Sequence, residues 1–496
     1  MDWGILVAFI AYLVVMLGVG VYFFRKSRNM KDYFLGGREL NPWVTALSAQ
    51  ASDMSGWLLM GLPAAAYIGG ISGAWIAVGL ALGTYLNWKI VAKRLRKFTS
   101  VAGDSITIPQ YLQNRFASKS AVVRCICAVI IFVFFLIYTA SGFSAGATLF
   151  QHIFHIDYTV AVTIGALVII AYTFLGGFKA VCWTDFIQGI MMFLAIVIVP
   201  VVAAFSTAGL SLETLGSYNN GTFLNLFADG SGALPVIGII SSLAWGLGYF
   251  GMPHILVRFM AIKNSDMIKK SRIIAMVWVA ITLICSVLVG ILGYAYLTGQ
   301  GAVPYADAKA AEVIFMELVV KLAPGFLAGI LLSAILAAVM STADSQLLVT
   351  ASAVSNDFYK ALIRKKASEK ELMWVSRISV IVIAVIAYII ALDPNNSVMG
   401  LVSYAWAGFG AAFGPVILLS LFWKRMTMKG AVAGMVSGGA MVLLWENIPA
   451  LAGTGLYSIV PGFALALILV VAVSLLDKKP SAEVEAMFED AQKADI

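Results

Sequence analysis

Charge is scarce in this chain. Asp, Glu, Lys and Arg together make up 12% of 496 residues, and mean hydropathy is +0.94. A soluble protein of this size has no way to hide 61% hydrophobic residues, so a soluble globular class is excluded. Cysteine and histidine are also rare. Four cysteines (Cys125, Cys127, Cys182 and Cys285) fall in or at the ends of apolar runs and imply no disulfide framework. Cys125 and Cys127 project about 200° apart on a helix, which is poor for a shared metal. His152, His155 and His254 form no opposed pairs, so haem ligation is unsupported. No GxxxxGK[ST] loop occurs, so any uphill work would draw on an ion gradient rather than on nucleotide hydrolysis. No nucleophile–base pair or metal cluster suggests an enzyme. The net charge of +8 is spread over loops, without the compact basic face of a nucleic-acid binder.

What the chain has is long apolar runs, each near the length that crosses a bilayer, which makes it an all-α integral membrane protein. We read about thirteen spans: 3–24, 42–68, 72–92, 121–150, 158–176, 182–207, 233–257, 271–297, 323–356, 374–391, 400–423, 429–448 and 458–476. The fourth and ninth are long enough to tilt or project. One set of connecting loops holds Arg25, Lys26, Arg28, Lys31, Arg38, Lys93, Arg94, Arg96, Lys97, Arg115 and Lys119. The same set continues with Lys263, Lys269, Lys270, Arg272, Lys360, Arg364, Lys365, Lys366 and Lys370, whereas the opposite loops hold only Lys309 and Lys321. This asymmetry predicts an external N-terminus and a cytoplasmic tail from Asp477, a solvated and helical-looking end. The first span precedes its basic residues, the reverse of a cleavable signal peptide, and is expected to stay as a helix.

Asp53 is a carboxylate in an apolar span, with Ser48, Gln50, Ser52 and Ser55 around it and Gly56 and Gly61-Leu62-Pro63 following. A charge at that depth costs a few kcal/mol or more unless it faces a cavity or a partner, about 2.5–3.5 kcal/mol on insertion scales. Helix-weakening residues beside it suggest an interrupted helix that lines a solute or ion path. The duller alternative is a salt bridge made for assembly. The seventh span carries a second interruption, Trp245-Gly246-Leu247-Gly248-Tyr249-Phe250-Gly251-Met252-Pro253. Five spans separate the two, so they run in opposite directions, as in inverted-repeat transporters.

The ninth span supplies Ser341, Thr342 and Asp344. Hydroxyls here, with unwound carbonyls at Ala51 and Met54, suit a small hard cation; back-bonding to the preceding turn is the competing role. Trp245, Tyr249 and Pro253 fall on one stripe of an unbroken helix, which with Tyr138 would wall a small solute or serve as plain packing. Gly176-Gly177 suggests a sharp reversal, after which Asp185 would open the sixth helix as a dipole partner or as a way-station for the cation. His254 and Arg258 are expected to mark the cytoplasmic end of the seventh span.

Taken together, Asp53-Met54-Ser55-Gly56-Trp57, the Gly176-Gly177-Phe178-Lys179-Ala180-Val181…Thr184-Asp185 turn and Ser341-Thr342-Ala343-Asp344-Ser345 resemble the sodium/solute symporter family. The chain is most similar to its sodium/proline branch. The resemblance implies a leucine-transporter-type fold of inverted five-helix repeats with interrupted second and seventh helices. It implies units at 1–41, 42–207 (first repeat), 233–423 (second repeat), 424–476 and 477–496. It implies a sodium ion held by Ala51, Met54, Ala338, Ser341 and Thr342. It implies L-proline contacts from Ser55, Gly56, Tyr138, Trp245, Tyr249 and Pro253, with Asp53, Asp185 and Asp344 on the coupling or ion path. Met252, where a polar residue is expected beside Pro253, keeps another solute (pantothenate, a sugar or a carboxylate) open. A transporter-like membrane sensor is a further alternative. Membrane lipid is the expected surrounding, the bacterial inner membrane the expected location, and no obligatory protein partner is evident.

Overall fold

The computed structural model describes residues 2–24, 34–175, 177–207 and 212–496. Arg25, Lys26, Arg28, Lys31 and Gly176, on which parts of the reading above depend, lie outside the described residues. Within the described residues the chain is almost entirely helical, as a bilayer requires of a chain whose backbone must satisfy its own hydrogen bonds. Helices α1 (Trp3–Phe24), α4 (Val122–Phe154), α5 (Tyr158–Leu175), α6 (Phe178–Ser206) and α8 (Ile268–Gly299) are long and apolar. So are α9 (Gly325–Ser352, prolonged by a π-helix over Ala353–Ile363), α10 (Glu369–Ala391), α11 (Val398–Phe422), α12 (Met428–Asn447) and α13 (Ile459–Leu476).

Two spans are broken. In α2 the first half (Pro42–Asp53, α2a) is followed by the single turn Gly56–Leu59 and the second half (Gly61–Gly69, α2b). In α7 the halves are Val236–Leu243 (α7a) and Pro253–Ala261 (α7b), joined by a 3-10 stretch over Ala244–Phe250 and bent by 44°. Helix α3 runs Ala74–Leu86 and Ala92–Val101 through one π turn at Asn87–Val91. The apolar run Gly56–Val101 is 46 residues long. At 1.5 Å per residue a straight helix of that length would be about twice as long as the ~30 Å hydrocarbon core. The chain instead reverses at Gly70, whose φ of +66° only glycine adopts freely. A Cβ on Gly73 would lie 3.1 Å from the Ala66 nitrogen, so the turn packs tightly against the end of α2b. Among the described residues ten helices are long and apolar enough to cross a membrane, or eleven with the bent α7 pair counted as one span; the expected thirteen is reached only if Gly56–Val101 is divided at Gly70 and Tyr158–Leu175 is counted as well.

The broken helices lie side by side and antiparallel. Asp53 meets Tyr249, whereas Ser48, further back along α2a, meets Arg258, further on along α7b. At the end where the loop cations gather, the Leu40 N–H donates to the Ala261 carbonyl and the Lys263 N–H to that of Leu40. Buried Arg38 donates to Asp104 (2.9 Å), to the Ser105 carbonyl (2.9 Å) and to the Met260 carbonyl (2.5 Å), and Arg96 donates to the Ile262 carbonyl (2.7 Å). Two cations therefore sit at the C-terminus of α7b, where the helix dipole favours them. At the opposite end, Glu312 accepts from the first N–H groups of α11, Val398 (3.2 Å) and Met399 (3.0 Å).

The tail differs from the solvated end expected of it. A helix over Ala482–Lys493 buries Val484, Phe488 and Ala491. The Phe488 ring lies 5.3 Å from that of Phe98 and under the Arg115 guanidinium at 4.9 Å. Lys424 pairs with both Glu485 (3.1 Å) and Glu489 (2.7 Å), and Ser265 donates to the Ile496 carbonyl. The helix is amphipathic, and its apolar stripe found a surface.

Candidate ion and solute site

The break in α2 follows from where its N–H groups go. Met54 (φ −80°, ψ 72°) leaves helical geometry while its N–H still reaches the Gln50 carbonyl at 2.8 Å. The Ser55 N–H then turns back to the Asp53 carbonyl instead of continuing the ladder to Ala51. The freed carbonyls find partners from the next turn of α2 and from other helices. Asp53 C=O accepts from the Trp57 indole and the Tyr138 hydroxyl, each at 3.2 Å. Ala51 C=O accepts from Ser341 Oγ at 2.8 Å and from Thr342 Oγ1 at 3.5 Å. Ser341 Oγ is also 3.2 Å from the Ala338 carbonyl. Four of the five residues expected to hold a cation thus bring neutral oxygens together at one point, and Met54 lies at the adjacent turn. The donor set is hard oxygen throughout, which fits a small hard cation such as sodium.

The carboxylate of Asp53 is fully buried. Its Oδ2 accepts from the Tyr249 hydroxyl at 2.7 Å, and its Oδ1 has no protein partner. Asn87, at the π turn of α3, donates to the Tyr249 carbonyl at 2.9 Å. Tyr249 meets the Trp406 ring edge-on at 5.0 Å, and the Trp406 indole donates to the Trp245 carbonyl at 2.7 Å. A Cβ on Gly248 would collide with that indole, so the close approach of α11 requires glycine there. Trp245 itself stacks on Tyr457, with centroids 5.3 Å apart.

Around Asp53 the buried atoms Gln50 Nε2, Ser55 Oγ, Thr84 Oγ1, Asn87 Oδ1 and both His254 nitrogens have no protein partner. Buried polar groups are normally satisfied. A cluster of unsatisfied ones beside a broken helix is what a polar solute or water would complete. Gly56 is buried here, and a Cβ on it would lie 3.0 Å from Ala145.

Two expectations are corrected. Trp245, Tyr249 and Pro253 do not form one stripe, because helical geometry fails at Gly251-Met252 (Met252 ψ 107°). Pro253 opens α7b and lines a narrow cleft with Phe34, Thr107, Ile131, Phe178 and Leu348, apart from Tyr249. Asp185 does not open α6 either. The helix starts at Phe178, after extended Gly177 (φ −125°), and Asp185 lies two turns inside it.

Asp185 instead belongs to a buried network that sequence reasoning missed. Its Oδ2 accepts from Ser48 Oγ (2.6 Å) and Arg258 Nη2 (3.0 Å). Arg258 also donates to Ser48 Oγ (3.1 Å), the His254 carbonyl (2.7 Å) and Ser345 Oγ (2.5 Å). Ser345 in turn reaches Asp344 Oδ1 at 3.3 Å. Arg258 is therefore an interior cation joining α2a, α6, α7b and α9, where the sequence suggested a residue at the membrane surface. Thr84, Asn87 and Trp406 were also missed. They carry no charge, and the one signal was a lone Asn within an apolar run.

A sequence profile of the sodium:solute symporter family matches residues 33–438. The chain is 49% identical to a sodium/proline symporter of Escherichia coli over 98% of its own length and 96% of the relative's. It is also 49% identical to a high-affinity proline transporter of Bacillus subtilis, over 96% and 99% of the two chains. An osmoregulated proline transporter of the same organism is 47% identical, over 97% and 96%. Among solved structures, a sodium-coupled sialic acid symporter superposes with a TM-score of 0.80 at 22% identity, covering 97% of this chain and 99% of that one. A transporter solved in complex with L-phenylalanine gives 0.54 at 14% identity, over 87% and 97%. At these identities the structures establish the fold alone, that of the leucine-transporter type.

Proposed function

The chain belongs to the sodium:solute symporter family, and on that premise we propose that it couples inward sodium flow to the uptake of L-proline by alternating access. One observation carries the coupling. The hydroxyls of Ser341 and Thr342 converge on the Ala51 carbonyl in the same helix break whose Asp53 is held by Tyr249. Sodium is cargo here. Ala51, Met54, Ala338, Ser341 and Thr342 would replace its water shell and draw α2a against α9. The solute would lie against Asp53, Ser55, Gly56, Tyr138, Trp245 and Tyr249, with Pro253 at the far side of the break. Ordering the break for one ligand orders it for the other, so the two affinities are linked and reciprocal. Asp185 and Asp344 lie on the side toward the loop cations and would line the ion's exit. L-Proline rests on the relatives, which at 47–49% identity are named as proline carriers.

The fold is apportioned as 1–41, a first repeat at 42–207, a second at 233–423, α12 and α13 at 424–476 and a tail at 477–496. The cation-bearing end is cytoplasmic by the positive-inside rule, which places the N-terminus outside and the tail inside a bacterial inner membrane. A reporter fused after Lys479 is expected to read as cytoplasmic; a periplasmic signal would reverse the orientation. The functional test is uptake of labelled proline into proteoliposomes with an imposed inward sodium gradient and without one. Uptake only with the gradient, competed by proline and not by pantothenate, a sugar or a carboxylate, is the expected result. Gradient-independent uptake would remove the coupling, and competition by another solute would reassign the substrate.

A further inference from the structure

Among the cations at the basic end, several are already spoken for: Lys93 pairs with Asp266, Lys179 with Glu39, Lys424 with the tail and Lys429 with Asp477. One group of unpaired cations lines a cavity. Where the start of α4 meets the π-helical end of α9, an open cavity of about 560 Å³ is lined by Gln110, Gln113, Lys119, Arg124, Lys360 and Lys365. Arg124 is fixed there by Asp357 (2.8 Å) and by the Asn356 carbonyl (2.5 Å), so it forms a rigid wall. Lys119, Lys360 and Lys365 are exposed and have no acidic partner among the described residues. No acid lines the cavity among the described residues, and Asp357, which holds Arg124 from behind, is buried and paired with it. The cavity therefore presents three uncompensated positive charges.

A second, apolar feature lies further along α4. A groove of about 400 Å³ runs between α4 and α12, lined by Cys125, Val129 and Val133 on one side and Met435, Gly439 and Ala440 on the other. Ala121 lines the basic cavity, and Cys125, Val129 and Val133 follow it at steps of four, on a ridge that winds about 120° round α4. From Cys125 to Val133 the ridge descends roughly 12 Å along the helix, toward the middle of the bilayer. Val122, Val129 and Leu362 are exposed beside it, so this is surface that faces lipid.

A basic cavity at the membrane surface above an apolar groove along the same helix has the shape and polarity of one molecule class. We propose that this is a specific site for an anionic phospholipid. The phosphate and headgroup meet Lys119, Lys360 and Lys365, and one acyl chain lies in the groove between α4 and α12. Basic pockets of this kind between spanning helices recognise anionic headgroups by charge, and the groove supplies the selectivity for a lipid over a soluble anion. The site lies apart from the broken helices, so it bears on how the bundle is held rather than on which solute it carries.

The test uses the full chain purified in detergent, with phosphatidylglycerol, phosphatidylcholine of the same chains and inorganic phosphate each titrated by native mass spectrometry. Phosphatidylglycerol is expected to bind at least tenfold tighter than phosphatidylcholine. Lys119→Gln/Lys360→Gln/Lys365→Gln should abolish that preference. These side chains are exposed and unpaired, and thermal unfolding should confirm that the variant folds as the parent does. Ala440→Phe, which fills the groove and leaves the charges in place, should weaken both phospholipids and leave inorganic phosphate unaffected. Absence of a phosphatidylglycerol preference, or a preference that survives the triple substitution, overturns the site. Binding of inorganic phosphate as tight as that of phosphatidylglycerol, with Ala440→Phe silent, overturns the lipid assignment and leaves a soluble-anion site.

Discussion

Ser341 and Thr342 share one acceptor, the Ala51 carbonyl, and neither hydroxyl is directed to lipid. Replacing both by Ala removes two hard ligands while helix propensity stays the same or improves. Apparent sodium affinity should fall at least about tenfold, or ~1.4 kcal/mol. Sodium titration of proline binding by the purified double variant reads this directly, and an unchanged midpoint would mean that the hydroxyls only pack. Tyr249 and Tyr138 allow a finer comparison, because both touch Asp53 but at different atoms. Tyr249 donates to the carboxylate and Tyr138 to the backbone carbonyl. Tyr249→Phe leaves both carboxylate oxygens without a protein donor, at a cost of about 1–3 kcal/mol for a buried group, more when charged. Tyr138→Phe leaves the Asp53 carbonyl with two other donors, Ser55 N–H and the Trp57 indole. Proline affinity should therefore suffer more from Tyr249→Phe; equal losses would place the solute against Tyr138 as much as against Asp53.

At the scale of the element, helix α11 begins under Glu312, which lies in the segment between α8 and α9 and accepts from the first two N–H groups of α11. Burial pushes the Glu312 carboxyl up to about 7, and the two N–H donors and Lys309 only partly offset it. Its folded-state value is thus above that of the unfolded chain. Between the two values the folded protein holds a proton that the unfolded chain has lost, so stability declines as pH rises through that interval and levels off above about 7. Glu312→Gln should flatten this slope in thermal unfolding measured from pH 5 to 8. Glu312→Ala should destabilise at every pH, by about 0.5–2 kcal/mol for a lost cap. Such a contact joins segments 86 residues apart and leaves no local pattern, so it is invisible in the sequence. The spans themselves were legible because each is a long apolar run, and the break at Asp53 because a charge and glycines interrupt one. Asp53, Ser341 and Thr342 stood out as polar groups where polarity is costly. Asn87, Trp406 and the role of Arg258 did not, because each depends on which helix packs opposite. Nor did the docking of the tail, whose short amphipathic stripe looks the same in sequence whether or not a surface receives it.

At the scale of the whole molecule, alternating access requires the end bearing the loop cations to part, and one cluster stands across that opening. Arg258 on α7b holds Asp185 on α6, Ser48 on α2a and Ser345 on α9. Opening must break these contacts or carry all four helices together. A buried pair stripped of one partner loses roughly 3–5 kcal/mol, because the remaining charge is left without compensation. Removing both charges avoids that penalty. Asp185→Asn and Arg258→Met should each destabilise strongly, and the double variant should be more stable than the sum of the single effects predicts, as expected for a coupled pair. Stability alone does not separate a gate from a structural brace, and Cys182 supplies the second readout. It is buried one turn before Asp185 on α6. In a Cys125→Ser/Cys127→Ser/Cys285→Ser background it becomes the single thiol. If the network holds this end closed, the folded double variant should label at Cys182 severalfold faster with a membrane-permeant maleimide. Sodium should slow that labelling in the parent, because its proposed ligand Ser341 lies one turn from Ser345 on the same helix. A double variant that folds, binds sodium and labels no faster than the parent would show that the cluster braces the bundle in every state, and the gate would have to be sought elsewhere at that end.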